Sequence, residues 1–178
     1  MKINNTLAIV IDIQERMLPV IANKEEVERN SLILIKGLKA LGVPLAITQQ
    51  YTKGLGMSLP SIFEAAATDE YYEKMSFSAL KDEETKVVIQ SHNRKDVLVF
   101  GVEAHICVLQ TCLDLKESGY RPLLVVDCIG SRKTSNLEMA IQRAIQEGIT
   151  ITSYEAILFE LMERADIDAF KVISKLVR

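Results

Sequence analysis

The sequence predicts an α/β protein: three layers, α/β/α, built on a mainly parallel, Rossmann-like sheet of about six strands. Three observations lead there. Aliphatic runs of strand length alternate with amphipathic segments of helix length along the whole chain. The first run, Leu7 to Ile11, is apolar without interruption, as a parallel strand covered on both faces is. Repeated strand–helix–strand units that cross over in one hand place helices on both sides of a sheet.

The elements follow in order. Leu7 to Ile11 is the first strand. Glu25 to Leu41 has helical periodicity and ends at Gly42, with Pro44 just beyond as a stop. Leu45 to Thr48 is the second strand. Tyr51 to Leu59, which holds Gly54 and Gly56, reads as a loop. Pro60 to Ala67 is a short helix with proline in its first turn. Tyr71 to Lys74 is a short, weak strand, Leu80 to His92 a helix and Val97 to Phe100 a strong strand. Ala104 to Ser118 is a helix closed by Gly119, Leu123 to Val126 a strand, and Ser135 to Gln146 a helix ending near Gly148. Ile149 to Thr152 is the last strand, before helices around Tyr154 to Met162 and Asp168 to Leu176. No repeat, low-complexity tract or linker interrupts this series, and 178 residues fit one domain over 1–178.

Composition excludes several functions. The formal net charge is -3, basic residues are scattered, Trp is absent and aromatics make up 6%. Neither a phosphate-binding stripe nor a base-stacking platform is present, so no nucleic-acid partner is expected. No apolar stretch approaches the roughly 20 residues that span a bilayer, and Met1 to Asn5 lacks signal-peptide features. A cytoplasmic protein without a membrane partner is expected. Its three cysteines, at 107, 112 and 128, then remain reduced rather than forming a disulfide framework.

In parallel sheets ligands gather at the carboxyl ends of strands, where strand order reverses. Three strand ends carry reactive groups. Asp12 follows the first strand; it is either a cap or solvated strand end, or a general base at the sheet edge. Lys74 ends the third; it is either a solvated surface charge, or an ammonium that lowers a neighbouring thiol's pKa. Cys107 lies just beyond the fourth strand and Gly101, at a strand-to-helix turn. It is either a small buried hydrophobe, or a nucleophile whose thiolate the helix N-terminus favours. Cys112 and Cys128 read as buried hydrophobes. His105 is too near in sequence to face Cys107 on a helix. No G-x-G-x-x-G loop follows the first strand, which argues against a dinucleotide-binding oxidoreductase.

Together these residues form a familiar set. Leu-Ala-Ile-Val-Ile-Asp-Ile-Gln (7–14), Thr-Gln-Gln-Tyr-Thr-Lys-Gly-Leu-Gly (48–56), Lys-Met-Ser-Phe-Ser-Ala-Leu (74–80), Gly-Val-Glu-Ala-His-Ile-Cys-Val-Leu-Gln-Thr (101–111), Val-Asp-Cys-Ile-Gly-Ser-Arg (126–132) and Leu-Phe-Glu-Leu (158–161) span nearly the whole chain. They resemble the isochorismatase-like hydrolases of the cysteine hydrolase superfamily, most closely a small, uncharacterised branch.

The resemblance implies a catalytic triad of Asp12, Lys74 and Cys107. It also implies a cis peptide between Val102 and Glu103, and an oxyanion hole formed by the backbone N–H groups of Glu103 and Cys107. The implied activity is hydrolysis of a small amide through a thioester on Cys107. Nicotinamidases of the family carry metal-binding histidines beside the triad, whereas this chain has only His92 and His105. No metal and no cofactor are expected, and nicotinamide is disfavoured as substrate. Isochorismatases proper lack the cysteine, so isochorismate is disfavoured too. Gln50, Tyr51, Phe77 and His105 are the expected pocket residues, Gly54 and Gly56 the tight turns of a pocket loop, and a homo-oligomer the expected assembly. The contrasting reading is a non-catalytic small-molecule-binding or scaffold protein that retains the fold.

Overall fold

The computed structural model describes residues 1–178. Its strands are β1 (Thr6–Ile11), β2 (Leu45–Gln50), β3 (Tyr72–Lys74), β4 (Asp96–Val102), β5 (Arg121–Gly130) and β6 (Thr150–Thr152). They form one sheet in the order β3-β2-β1-β4-β5-β6, and every pairing is parallel. The helices are α1 (Lys24–Ala40), α2 (Thr52–Leu55), α3 (Pro60–Ala66), α4 (Glu83–Ser91), α5 (Leu109–Glu117), α6 (Thr134–Gln146), α7 (Tyr154–Met162) and α8 (Asp168–Leu176). On one face α1 packs on β4 and β5 and gathers α3, α7 and α8 around it; on the other, α4 covers β2 and β3, while α5 and α6 cover β5. The three-layer α/β/α expectation stands, with a wholly parallel sheet.

The central strand explains the continuous aliphatic run. β1 lies between β2 and β4, and all six of its residues are buried. Each fully buried Leu, Ile or Val contributes about 1.5–3 kcal/mol, and β-branched side chains suit the pleated surface. α1 begins with Glu25 and Glu26 and ends with Lys39, complementing its dipole. It buries Val27, Leu34, Ile35 and Leu38 along one stripe. Gly37 lets Leu158 of α7 dock on that stripe, since a Cβ there would lie 2.6 Å from Leu158 Cδ2.

Several boundaries differ from expectation. Within the expected loop Tyr51 to Leu59, Thr52–Leu55 closes one helical turn, which Gly56 ends at φ +81°. The expected helix Leu80 to His92 is broken at Asp82, whose backbone is extended; a 3-10 turn precedes it (Ala79–Lys81) and α4 follows. The Asp82 carboxylate is engaged elsewhere, accepting from Met75 N at 3.2 Å, Ser76 N at 3.0 Å and Ser76 Oγ. The expected helix Ala104 to Ser118 opens with a π-helical turn, Ala104–Val108, in which both Ile106 N and Val108 N donate to the Glu103 carbonyl. β5 runs on to Gly130, beyond Val126, because its register with β4 slips between Val99 and Gly101. Cys128 thus lies inside a strand, fully buried.

Sheet order reverses at β1, the first strand, from which β2 and β3 build one way and β4 to β6 the other. Gly101 lets the carboxyl ends of β1 and β4 close up there. Its φ is +121°, and a Cβ would overlap the Ile11 carbonyl oxygen. Gly101→Ala is expected to lower stability by about 3–5 kcal/mol, combining left-handed strain with overpacking. Urea unfolding measures it; a midpoint equal to that of the parent protein would contradict this account.

Candidate active site

Asp12 leaves β1 in the left-handed region, at φ +51°, which a short polar side chain tolerates. Its fully buried carboxylate accepts from Thr48 Oγ1 of β2 at 2.8 Å through Oδ1 and meets Lys74 Nζ at 2.7 Å through Oδ2. Lys74, the last residue of β3, has a side chain 0% exposed. Burying an ion pair costs several kcal/mol per ion unless other hydrogen bonds offset it. Here they do: the Lys74 ammonium also donates to Gln50 Oε1 at 2.7 Å and to the carbonyls of Phe77 and Ser76 at 3.1 and 3.3 Å. Gln50 is itself fixed. Its amide nitrogen donates to the Met75 carbonyl at 2.9 Å, and its backbone N–H donates to Gln14 Oε1 at 2.8 Å.

The other half of the site follows β4. The Val102–Glu103 peptide is cis, and the π-helical turn presents Cys107, 5% exposed. The Glu103 carboxylate, 3% exposed, accepts from Arg132 N at 2.9 Å and from Arg132 Nε at 3.0 Å. His105 bridges the turn to the next segment. Asn136 Nδ2 lies 3.2 Å from its Nε2 and Ser131 Oγ 3.0 Å from its Nδ1. With the Asn136 amide as donor, Nε2 accepts and the Nδ1–H donates to Ser131. Thr111 Oγ1 donates to the Cys107 carbonyl at 2.7 Å and accepts from Ala79 N at 3.0 Å, tying the turn to the loop that follows Lys74.

The Cys107 thiol sits beside both Asp12 and Lys74, and both act on its titration. Burial pushes it up to about 12; the negative charge of Asp12 adds to this, and Lys74 opposes it. Burial also raises the Asp12 carboxyl, against the pull of Lys74. For the thiol, the direction is opposite to the lowering expected from a helix end and a lysine. At neutral pH the thiol keeps its proton, because desolvation and an adjacent carboxylate outweigh one ammonium.

A cavity of about 280 Å³ opens above this cluster. Asp12, Glu103 and Cys107 form its polar floor; Met17, Val20, Leu55, Phe77 and Ile106 its apolar walls; Gln50 and Arg132 complete the lining. Of the expected pocket residues, Gln50 and Phe77 line it. Tyr51 and His105 do not. Tyr51 is 45% exposed with its ring against Gly54, and the His105 ring is held by Ser131 and Asn136. Sequence reasoning missed the walls Met17, Val20, Leu55 and Ile106, and Arg132. The usable signal was position, since these four walls come from segments following β1, β2 and β4, and Arg132 follows β5. No group of three or more His, Cys, Asp or Glu side chains stands together as a metal cage.

Comparison with known proteins agrees with this architecture. A model of the isochorismatase domain matches residues 6–156. The chain is 36% identical to the secreted isochorismatase effector Isc1 of Phytophthora sojae, over 98% of this chain and 85% of that protein. Its fold superposes on the MAR1 ribonuclease of Caenorhabditis elegans with a TM-score of 0.93, at 32% identity, covering 99% of this chain and 91% of that one. An octameric hydrolase of unknown specificity from Escherichia coli shares the fold at a TM-score of 0.92 and 19% identity, covering 99% and 89% of the two chains. With the domain model matched across most of its length and the strand-end cluster lying where that fold gathers its ligands, the chain belongs to the isochorismatase family and has its hydrolase fold.

Proposed function

We propose that this protein is a cysteine-dependent hydrolase of a small amide, with Asp12, Lys74 and Cys107 as its catalytic triad. One observation carries the reading: a buried carboxylate–ammonium pair, Asp12 and Lys74, stands beside the Cys107 thiol, and the carboxylate and the thiol line a small, largely apolar cavity. Asp12 takes the Cys107 proton as sulfur attacks the amide carbon. Lys74 holds the carboxylate in place and offsets the charge on sulfur. The backbone N–H groups of Glu103 and Cys107 receive the oxyanion, an interaction typically worth about 3–4 kcal/mol. Asp12 returns its proton to the departing nitrogen, leaving a thioester on Cys107. Water, activated by Asp12, then hydrolyses the thioester and restores the thiol. Because the resting thiol is protonated, the nucleophile arises only with proton transfer to Asp12.

A second reading comes from the ribonuclease name of the Caenorhabditis elegans neighbour. The small cavity and the net charge of -3 favour a small molecule over a polynucleotide. A homo-oligomer belongs to the same proposal, supported by the exposed apolar side chains Val20 and Phe77 at the cavity; sedimentation of the free chain as a monomer would remove it.

Three variants test the triad. In a screen of primary amides, ureido compounds and a single-stranded RNA, Cys107→Ala is expected to abolish turnover of whichever substrate is found. Asp12→Asn should lower it about 10²–10⁴-fold, and Lys74→Met should also reduce it. Turnover of RNA alone, or turnover unaffected by Cys107→Ala, would reject the amidase.

Labelling with iodoacetamide tests the proton's place. Cys107, which borders the cavity, should react faster than the fully buried Cys112 and Cys128. Its rate should climb steadily with pH toward about 12, without a plateau near neutrality. Asp12→Asn removes a charge that raises the thiol, so its titration should move down and labelling near neutral pH should speed up even as hydrolysis is lost. A plateau in the parent protein, or slower labelling in Asp12→Asn, would contradict this proton assignment.

A further inference from the structure

We infer that Gln14, which lines no part of the cavity, is a positioning residue of the site: its carboxamide stands in for a strand beside Gln50 and so seats the Lys74 ammonium on Asp12. The seating stands on hydrogen bonds alone; only its consequence for hydrolysis rests on the triad reading.

β1 and β2 pair in register from Ala8 with Leu45 to Ile11 with Thr48. One more rung follows, from Asp12 N to the Thr48 carbonyl at 3.3 Å. The left-handed backbone of Asp12 then carries the chain off the ladder, while β2 runs on to Gln50. On its outer side Gln50 keeps a neighbour, Lys74 of β3. On its inner side β1 has departed, and a peptide group withdrawn from water needs partners. The Gln14 side chain supplies them. Its Oε1 accepts the Gln50 N–H at 2.8 Å, and its Nε2 donates to the Gln50 carbonyl at 3.0 Å. These are the two bonds an adjoining strand would otherwise make, and a primary amide carries the same donor and acceptor as the backbone. The other Nε2 hydrogen goes to the Gly56 carbonyl at 2.7 Å. Gln14 is 0% exposed.

The pocket loop does not depend on that last bond. Glu15 N donates to the Met57 carbonyl at 2.9 Å, Arg16 N to the Leu55 carbonyl at 3.1 Å and Leu59 N to the Ile13 carbonyl at 3.0 Å. The distinctive work of Gln14 is therefore on Gln50, and the Gln50 side chain passes it to Lys74. Gln50 Oε1 accepts from Lys74 Nζ at 2.7 Å, nearer than the Phe77 and Ser76 carbonyls at 3.1 and 3.3 Å. Its Nε2 is committed to the Met75 carbonyl at 2.9 Å. The contacts form a chain: Gln14 fixes Gln50, Gln50 fixes the ammonium, and the ammonium meets Asp12 Oδ2 at 2.7 Å. In a low-dielectric interior such linked hydrogen bonds act as one network.

The test follows Lys74 itself. In the intact protein with ¹⁵N-labelled lysine, the Lys74 ammonium, assigned by its loss in Lys74→Met, should give a slowly exchanging NMR signal. Gln14→Met, similar in length but without donor or acceptor, should speed its exchange with water about tenfold, the scale of one charge-assisted hydrogen bond. Gln50→Met should do the same, and the double variant should do no more than the larger single change, because the two act in series. Gln14→Glu, which keeps the acceptor for Gln50 N and lacks the donors, should fall between; it decides the matter if the methionine variant fails to fold. An unchanged Lys74 signal in Gln14→Met, whatever its urea midpoint, would make Gln14 a contact of the fold alone and overturn the inference. So would changes that add in the double variant, or a fast-exchanging Lys74 ammonium in the parent protein. Hydrolysis separates the two proposals. In Gln14→Met, kcat should fall with KM unchanged, since Gln14 does not border the cavity. A disturbed Lys74 signal with no amide hydrolysed by the parent protein removes the activity and keeps the seating of Lys74. Hydrolysis lost in Cys107→Ala but undiminished in Gln14→Met removes Gln14 as a positioning residue and keeps the activity.

Discussion

The buried ion pair between Asp12 and Lys74 is the constraint around which the carboxyl edge of this sheet is organised. Two charges withdrawn from water cost several kcal/mol each, and neither side chain is exposed at all. Their partners come from three separate places: Thr48 from β2, Gln50 from the end of the same strand, and the carbonyls of Ser76 and Phe77 from the loop after β3. Each partner is held in turn, Gln50 by Gln14 and the loop by Asp82. The pair therefore sets the path of the chain after β1, β2 and β3. It also sets the electrostatics met by the Cys107 thiol, which burial and the Asp12 charge raise and Lys74 opposes.

The topology explains why these groups meet. β1 and β4 are neighbours from which the sheet grows in opposite directions. The chain departs from their carboxyl ends toward different faces, and a crevice opens between. Asp12 leaves from one strand and the Glu103–Cys107 turn from the other, with Gly101 keeping the gap narrow. α5 begins only after the π-helical turn has presented Cys107. The 103–107 turn is clamped from outside by the segment that follows β5, through Glu103 with Arg132 and His105 with Ser131 and Asn136.

The fold was legible in the sequence because apolar periodicity encodes burial directly. Leu7 to Ile11 reads as a parallel strand covered on both faces, and Asp12, Lys74 and Cys107 stood out as reactive groups at strand ends. Features that depend on side-chain contacts between distant segments were not legible. Nothing local to Asp82 says that its carboxylate will serve the Met75–Ser76 backbone rather than continue a helix. His105 looks like a pocket residue from its place in the turn, but Ser131 and Asn136 claim both ring nitrogens. Tyr51 sits beside the pocket loop in sequence and turns its ring onto Gly54 instead. The direction in which the thiol titrates needed the burial of Asp12 and Lys74, which sequence does not give. Arg132 was visible only as the last residue of a motif, since its partner Glu103 lies on another strand's exit.

β3 has only three residues and is an edge strand, paired on one side with β2 alone. Edge strands with so few ladder bonds are among the first elements to open in native-state fluctuations, at free energies well below that of global unfolding. Yet this strand ends in Lys74, the cation of the buried pair. When it frays, the ammonium withdraws, the Asp12 charge is left buried and unmatched, and the pocket floor comes apart while the rest of the sheet persists. The lifetime of an assembled site is thus bounded by sub-global opening at the sheet margin, which makes a three-residue edge strand the timekeeper of a tightly bonded cluster.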